Sequence, residues 1–426
     1  MSADPANISG PRRDRDFALI FLIVGIVALI ASLGGLAYGV HSEEPRYFLG
    51  WLISTSFWLS LGLGFLFMIM LSYLFDAGWL VVLRRPLEHA VGGFKYMALI
   101  FLPLLLLGIA FAENDFVAWS WIDEARITAT GDPVGEDPLY LHKAGYLDSA
   151  FFALRFIFYF GVWVLFAELL RQCSFRMDRE GDPKYVHRAR KLSAGGTIVC
   201  AIAVTFAAID WFMSLEFHWF STMYGVWFFS SSMRGAICAM IILGFLAATY
   251  GPLKGIYRGG HTYLLGCLLL AFTVFWAYIS FSQYFLIYSA NIPEEVFWYN
   301  IREIHADGTK NSWWWVSMGL IFGGFLIPFI LLLWNRTKFG AAVVGVAIWA
   351  LLFHLLDLYW NILPGKVWDA ATGSYIVRQF DIHWMDVTTF VGIGAICVWA
   401  YLVSARRERA IPIRDPRIVE SINCHE

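Results

Sequence analysis

Ten runs of mostly apolar residues, each close to the length that crosses a bilayer, set what this chain can fold into. They begin near Phe17, Trp51, Phe94, Ser149, Ala194, Ser221, Thr262, Ser312, Ala341 and Val387, and end near Tyr38, Phe75, Phe111, Leu170, Ser214, Tyr250, Ser282, Trp334, Leu363 and Leu402. A hydrocarbon core of about 30 Å takes about 20 such residues in helical form. In lipid each run must satisfy its own backbone N–H and C=O groups, which a helix does. The expectation is an all-α membrane protein. Residues 1–16 are a cytoplasmic N-terminal tail, 17–402 a ten-span transmembrane domain, and 403–426 a cytoplasmic C-terminal tail. Composition agrees: 59% apolar and 15% charged residues suit lipid better than water. Arg12, Arg13 and Arg15 precede the first run as they would in a secretion signal. That run is about 22 residues long and no small-residue cleavage site follows it, so it reads as an uncleaved span.

The positive charges orient the spans. With a cytoplasmic N-terminus, most of the 31 Lys and Arg fall in the inner loops and tails, among them Arg84, Arg85, Lys184, Arg188, Arg190, Lys191, Arg336, Arg406 and Arg407. Both termini are therefore expected inside. The outer side is acidic and rich in tryptophan. Its longest loop, 113–148, carries Glu113, Asp115, Asp123, Glu124, Asp132, Glu136, Asp137 and Asp148, and two more loops cover 283–311 and 364–386. More than half of the 20 tryptophans lie at or beyond that boundary, including Trp119, Trp121, Trp211, Trp219 and the run Trp313–Trp314–Trp315. Two explanations compete: a docking surface that other proteins cover, and an uneven aromatic belt.

A net charge of −2 gives no support to nucleic-acid binding. The six cysteines, Cys173, Cys200, Cys238, Cys267, Cys397 and Cys424, are never closer than about 27 residues, so no C-x-x-C pair exists for zinc, covalent haem or an iron–sulfur cluster. His354 is the one histidine deep in a span, whereas a transmembrane b-type haem usually takes two facing histidines. The chain is expected to bind no metal, haem or cluster of its own.

Ionisable residues at bilayer depth are costly and therefore functional candidates. Arg155, Glu168, Asp210, Arg234, His354 and Asp357 qualify. His354 and Asp357, three residues apart, share a helix face. One reading pairs Arg155 with Asp210 and His354 with Asp357 for structural reasons, and lets Glu168 reach the inner boundary. The other makes Asp210, His354, Asp357, Glu168 and Arg234 a broken proton path, with the hydroxyls of Ser230, Ser231 and Ser232 bridging gaps. Both remain open at this point.

Two strings stand out at the outer interface. D-W-F-M-S-L-E-F-H-W-F-S-T at 210–222 joins spans 5 and 6, and Q-Y-F-L-I-Y-S-A-N-I-P-E-E at 283–295 leaves span 7. Both strings resemble those of the NrfD/polysulfide-reductase membrane-anchor family. Within it the chain is similar to the second, smaller quinone-type membrane subunit of bacterial alternative complex III. The resemblance covers nearly the whole chain, although Phe217 stands where the family commonly has Pro. It implies two four-helix bundles, spans 2–5 and 6–9, with spans 1 and 10 peripheral. It also implies a subunit of a respiratory quinol oxidoreductase of the bacterial inner membrane, passing electrons to a cytochrome c or an oxidase. Iron–sulfur and haem c would lie in periplasmic subunits, and quinone in the homologous, larger membrane subunit, with small membrane subunits and lipids around them. This chain would then carry no catalysis alone, but a proton path and a docking platform. Glu216, His218, Gln283, Tyr284, Glu294 and Glu295 become the interface-motif candidates. A purely structural anchor is the alternative. A secondary transporter is the weaker one, since no paired Gly/Pro-broken spans mark corresponding halves.

Overall fold

A computed structural model describes residues 13–127, 132–305, 307–369 and 374–424. Most of the N-terminal tail and the last two residues of the C-terminal tail lie outside this set, as does the side chain of Glu294. Among the described residues ten helices are long and apolar enough to cross a membrane. They are α1 (Asp16–Ser42), α2 (Pro45–Leu74), α3 (Gly78–Ala110), α4 (Ser149–Glu180), α5 (Lys184–Glu216), α6 (Tyr224–Tyr250), α7 (Gly259–Ala290), α8 (Ser312–Leu333), α9 (Gly340–Ile362) and α10 (Trp384–Ala405). A two-stranded antiparallel hairpin, Lys366–Asp369 with Ser374–Val377, interrupts the loop between α9 and α10.

Local chemistry sets the ends of these helices. Pro45 opens α2, where its missing N–H costs nothing. The Asp148 carboxylate accepts from Phe151 N–H to cap α4, and the Asn311 carbonyl accepts from Trp314 N–H to cap α8. Gly181 closes α4 in the left-handed region at φ 75°. Within α8, residues Leu320–Leu326 form a π-helical turn. Such a turn shifts backbone carbonyls out of the regular ladder. Two of them accept from neighbouring spans, Gly323 from Trp349 Nε1 and Gly324 from Arg234 Nη2.

The centre of the molecule is α2, buried along 78% of its most apolar stretch, against 17% for α1. Helix α2 packs on α3, α5, α6, α9 and α10, while α1 leans chiefly on α10. Contacts run α2–α3–α4–α5 and back to α2, and α6–α7–α8–α9 and back to α6. The two circuits meet where α2 lies on α6. Gly64 permits that approach, because a Cβ there would come within 2.5 Å of the Ser232 carbonyl oxygen and 2.4 Å of Ala236 Cβ. Small residues at helix contacts serve this purpose in membranes.

The long loops gather at one end, the loop-rich face. There Asn114 Nδ2 donates to Val40 O, Trp119 Nε1 to Trp211 O, and Trp313 Nε1 to Arg378 O. Arg46, at the start of α2, is buried against Asp381 and Asp386.

The opposite face departs from the sequence expectation. Residues 76–93, read as an inner loop, instead form the start of α3: a 3-10 turn, Gly78–Leu80, and an amphipathic helix, Val81–Val91. Arg84, Arg85 and Glu88 are buried on it. Glu88 takes Arg84 Nε at 3.1 Å, Arg85 Nη1 at 3.2 Å and the Ser174 hydroxyl at 2.8 Å. Arg84 also reaches Asp415 at 2.5 Å, and Arg85 pairs with Asp178. The i, i+3 and i, i+4 spacing of R-R-P-L-E was the available signal. A loop would have left these charges in water, whereas the helix turns them inward onto the C-terminal segment.

Candidate functional site

A buried polar cluster is built from α2, α6, α7 and α9, where the two packing circuits meet. Asp357, on α9, lies five residues before the helix end, roughly 7–8 Å from it along the axis. Four side-chain donors converge on its carboxyl group: Trp276 Nε1 at 2.9 Å, Trp227 Nε1 at 3.1 Å, the Ser231 hydroxyl at 3.2 Å and Asn361 Nδ2 at 3.2 Å. One turn away, His354 Nδ1 is 2.9 Å from Ser231 Oγ, and its Nε2 is 2.8 Å from Ser60 Oγ on α2. Asp357 and His354 are 3% and 1% exposed, so every one of these contacts is shielded from bulk water.

His354 and Asp357 are therefore joined through Ser231. A hydroxyl has one proton to give. Ser60 is positioned to spend its own on the Phe57 carbonyl at 2.7 Å, leaving its oxygen to accept from His354 Nε2–H. Ser231 then has two states. Donating to Nδ1, it faces a neutral imidazole; donating to Asp357, it accepts from an imidazolium. In the first state Asp357 holds a proton and donates it to Ser231 Oγ. Two coupled transfers, from Asp357 to Ser231 Oγ and from the Ser231 hydroxyl to His354 Nδ1, give the second state. That state is a carboxylate and an imidazolium with the serine hydroxyl restored, reached without moving a backbone atom.

Arg234, one turn further along α6, is 1% exposed. It donates from Nη2 to Gly324 O at 2.6 Å and lies 4.5 Å from the centre of the Trp276 ring. Its Nε has no hydrogen-bond partner among the described residues. Trp276 thus touches both charges, giving its N–H to Asp357 and its π face to the guanidinium.

Asp210 sits in a different setting. Arg155 grips it with Nε at 2.7 Å and Nη2 at 3.1 Å, and the Tyr159 hydroxyl donates to it at 2.6 Å. Arg155 gives its remaining Nη1 to Tyr146 O at 2.8 Å. This is a bidentate pair joining α4 to α5. No hydrogen bond among the described residues links it to Asp357. Glu168 pairs with Arg171 at 2.6 Å on its own helix, and Arg171 continues through Ser404 to His89 Nδ1. The five relay candidates thus divide into one connected group, His354 and Asp357 with Arg234 beside them, and two separate pairs.

The two motif strings meet at the loop-rich face. The Ser221 hydroxyl donates to Gln283 Oε1 at 2.9 Å, and Gln283 Nε2 donates to the Tyr299 hydroxyl at 3.3 Å. Tyr284 packs at a tilt against Tyr288 and edge-on against Tyr299. Glu295 only continues a short helix, Pro293–Asn300, through its backbone. His218 is held between Asp137 Oδ2, 2.8 Å from Nε2, and Glu216 Oε1, 3.0 Å from Nδ1. Burial works against its positive charge, but the two carboxylates outweigh it and raise the imidazole above its usual range. Asp137 is burdened by burial too, yet His218 and the Leu139 and Tyr140 N–H groups bring it below the usual carboxylate range. Phe217 adopts φ −68°, a value that the ring of a proline would hold.

Neither cysteines nor histidines assemble for a metal: no group of three or more His, Cys, Asp or Glu side chains among the described residues is placed to hold an ion. The cysteines are all unpaired. Compared with family models and with curated proteins, the chain matches none.

Proposed function

We propose that the chain is an integral membrane subunit of a respiratory quinol oxidoreductase of the alternative complex III type, in a bacterial inner membrane, and that it contributes a proton path. The resemblance at 210–222 and 283–295 supports the assignment to the complex. The two closed packing circuits, α2–α5 and α6–α9, with α1 and α10 outside them, support the two-bundle arrangement that this resemblance implies.

The observation that carries the proton path is the buried, serine-bridged pair of His354 and Asp357. A group that served only to fix two helices would need one geometry, as the bidentate Arg155–Asp210 pair has. Ser231 instead offers two proton arrangements at the same heavy-atom positions. Trp119, Trp121, Trp211, Trp219 and Trp313 are buried within the chain itself and offer no docking surface. The exposed Trp315 and Trp384, with the exposed acids Glu113 and Asp115, support a platform for periplasmic iron–sulfur and haem c subunits. Electrons would enter through quinone in the homologous larger membrane subunit. A purely structural anchor is the second reading. It draws on Asp210 and Glu168, each held in an ion pair with an arginine and, among the described residues, not hydrogen-bonded to Asp357.

Mild detergent extraction followed by a native gel tests the assignment. The chain is expected to co-migrate with haem c and iron–sulfur proteins in a band that oxidises quinol. Migration alone, with a solute flux catalysed by the purified chain, would replace the assignment with a transporter.

A further inference from the structure

Arg302 is a buried cation that the proton path leaves unexplained. It lies in the loop after α7, is 2% exposed, and among the described residues has no carboxylate at ion-pair distance. Its charge is instead spread over backbone carbonyls. Nη1 donates to Trp298 O at 2.6 Å, Nε to Trp360 O at 2.9 Å, and Nη2 to Asn361 O at 3.1 Å. The guanidinium lies 3.4 Å from the centre of the Trp298 ring and 5.1 Å from that of Trp360. Trp219 stacks on the far side of Trp298 at 4.2 Å, nearly parallel at 11°.

This stack sits over the end of α9 that bears Asp357. Asn361 joins the two: its carbonyl receives Arg302, while its side chain donates to Asp357 Oδ1 at 3.2 Å and to Asp357 O at 2.9 Å. Between Asp357 and the loop-rich face, then, lie an amide, a clamped cation and three indoles. An arginine whose Nε, Nη1 and Nη2 are all engaged can neither take nor pass a proton, and its field opposes any cation approaching from above. The other side of the site differs. There Ser60 and His354 continue the hydrogen-bonded chain, and Arg234 is held by one carbonyl, its Nε without a hydrogen-bond partner among the described residues.

We propose that Arg302, clamped by Trp298 and Trp360, is a fixed cationic seal over Asp357, so that Asp357 and His354 exchange protons only with the side of the membrane opposite the loop-rich face. The proposal rests on the proton-path reading of Asp357 and adds a direction to it. In a working cycle, release toward the loop-rich face would require the stack to open. Arg302 acts through position and charge, not as a station.

The test uses the full chain in sealed vesicles of known orientation, with 13C-labelled aspartate carboxyls followed by infrared spectroscopy and the Asp357 band assigned by its loss in Asp357→Asn. pH is stepped on one side at a time. The Asp357 band is expected to follow pH on the face opposite the loops and to ignore the loop-rich side. In Arg302→Gln, and in Arg302→Lys, which keeps the charge but loses the planar clamp, it should follow both sides. Passive proton uptake under an imposed potential should then rise about tenfold, and Asp357→Asn in the same chain should return it to the parental rate. An Asp357 band that follows the loop-rich side in the parent overturns the seal while leaving the proton path intact. So does a leak in the Arg302 variants that survives Asp357→Asn. An Asp357 band that responds to neither side rejects the proton path itself, and the seal with it.

Discussion

Ser231 is the smallest part of the site on which the account depends. Replacing it with Ala removes the one hydroxyl that touches both His354 and Asp357. The cost to stability is expected to be modest, about 1 kcal/mol for a lost hydrogen bond, because Asp357 keeps three other donors. Proton transfer should fall sharply, and Ser231→Thr, which restores a hydroxyl, should recover much of it. A vesicle assay in which Ser231→Ala transfers protons at the parental rate would show that the bridge is dispensable. His218 makes a second prediction at this scale. Its pKa is raised in the folded protein, so the stability it lends is fully present below its unfolded pKa and fades as pH rises through the higher folded value. Asp137 is depressed, so its share is present above its unfolded pKa and fades as pH falls through the lower folded value. The link between the 132–148 segment and the 213–222 turn should therefore be tightest between those two limits. Hydrogen exchange in 138–147 should rise on both sides of that window, and His218→Gln should remove the alkaline limb.

At the scale of elements, ion pairs and hydrogen-bonded bridges tie helices together, and the two differ in what a mutation does. Arg155–Asp210 joins α4 to α5 with both partners buried. Removing one partner leaves a charge in a dry site and is expected to cost about 3–5 kcal/mol. Replacing both with leucine should cost much less. Thermal unfolding in detergent, followed by tryptophan fluorescence, checks the ordering; a double variant as unstable as the sum of the singles would contradict it. This pair could be anticipated, because two opposite charges at similar depth on consecutive spans have few other partners. The spans themselves were legible for the same reason: lipid demands long apolar runs, and the sequence displays them. The bridge from Ser60 to His354 was not legible, since the two are 294 residues apart and nothing local distinguishes Ser60 from other span serines. The Arg84–Arg85–Glu88 helix was hidden by its own polarity, which reads as a loop until the C-terminal segment is seen to cover it. The burial of Arg302 was not legible either: Trp298 is close in sequence, but Trp360 and Trp219, which complete the stack, come from distant segments.

In the molecule as a whole, the two packing circuits meet along α2 and α6, and the polar cluster with alternative proton positions lies at that junction. Ser60 comes from one circuit, and Ser231, His354, Asp357 and both tryptophans come from the other. A small shift between the circuits would thus open or close the contact between Ser60 and His354; under the proposed function, this is where redox chemistry in partner subunits would act. The direct test is Asp357→Asn in the assembled complex, since Asn keeps the shape and the hydrogen-bonding capacity but cannot ionise. Quinol oxidation in detergent and proton translocation in sealed vesicles are measured on the same preparation. The account predicts normal assembly, quinol oxidation close to the parental rate in detergent, and loss of translocation in vesicles. Assembly and translocation equal to the parent would contradict it and leave the chain a structural anchor.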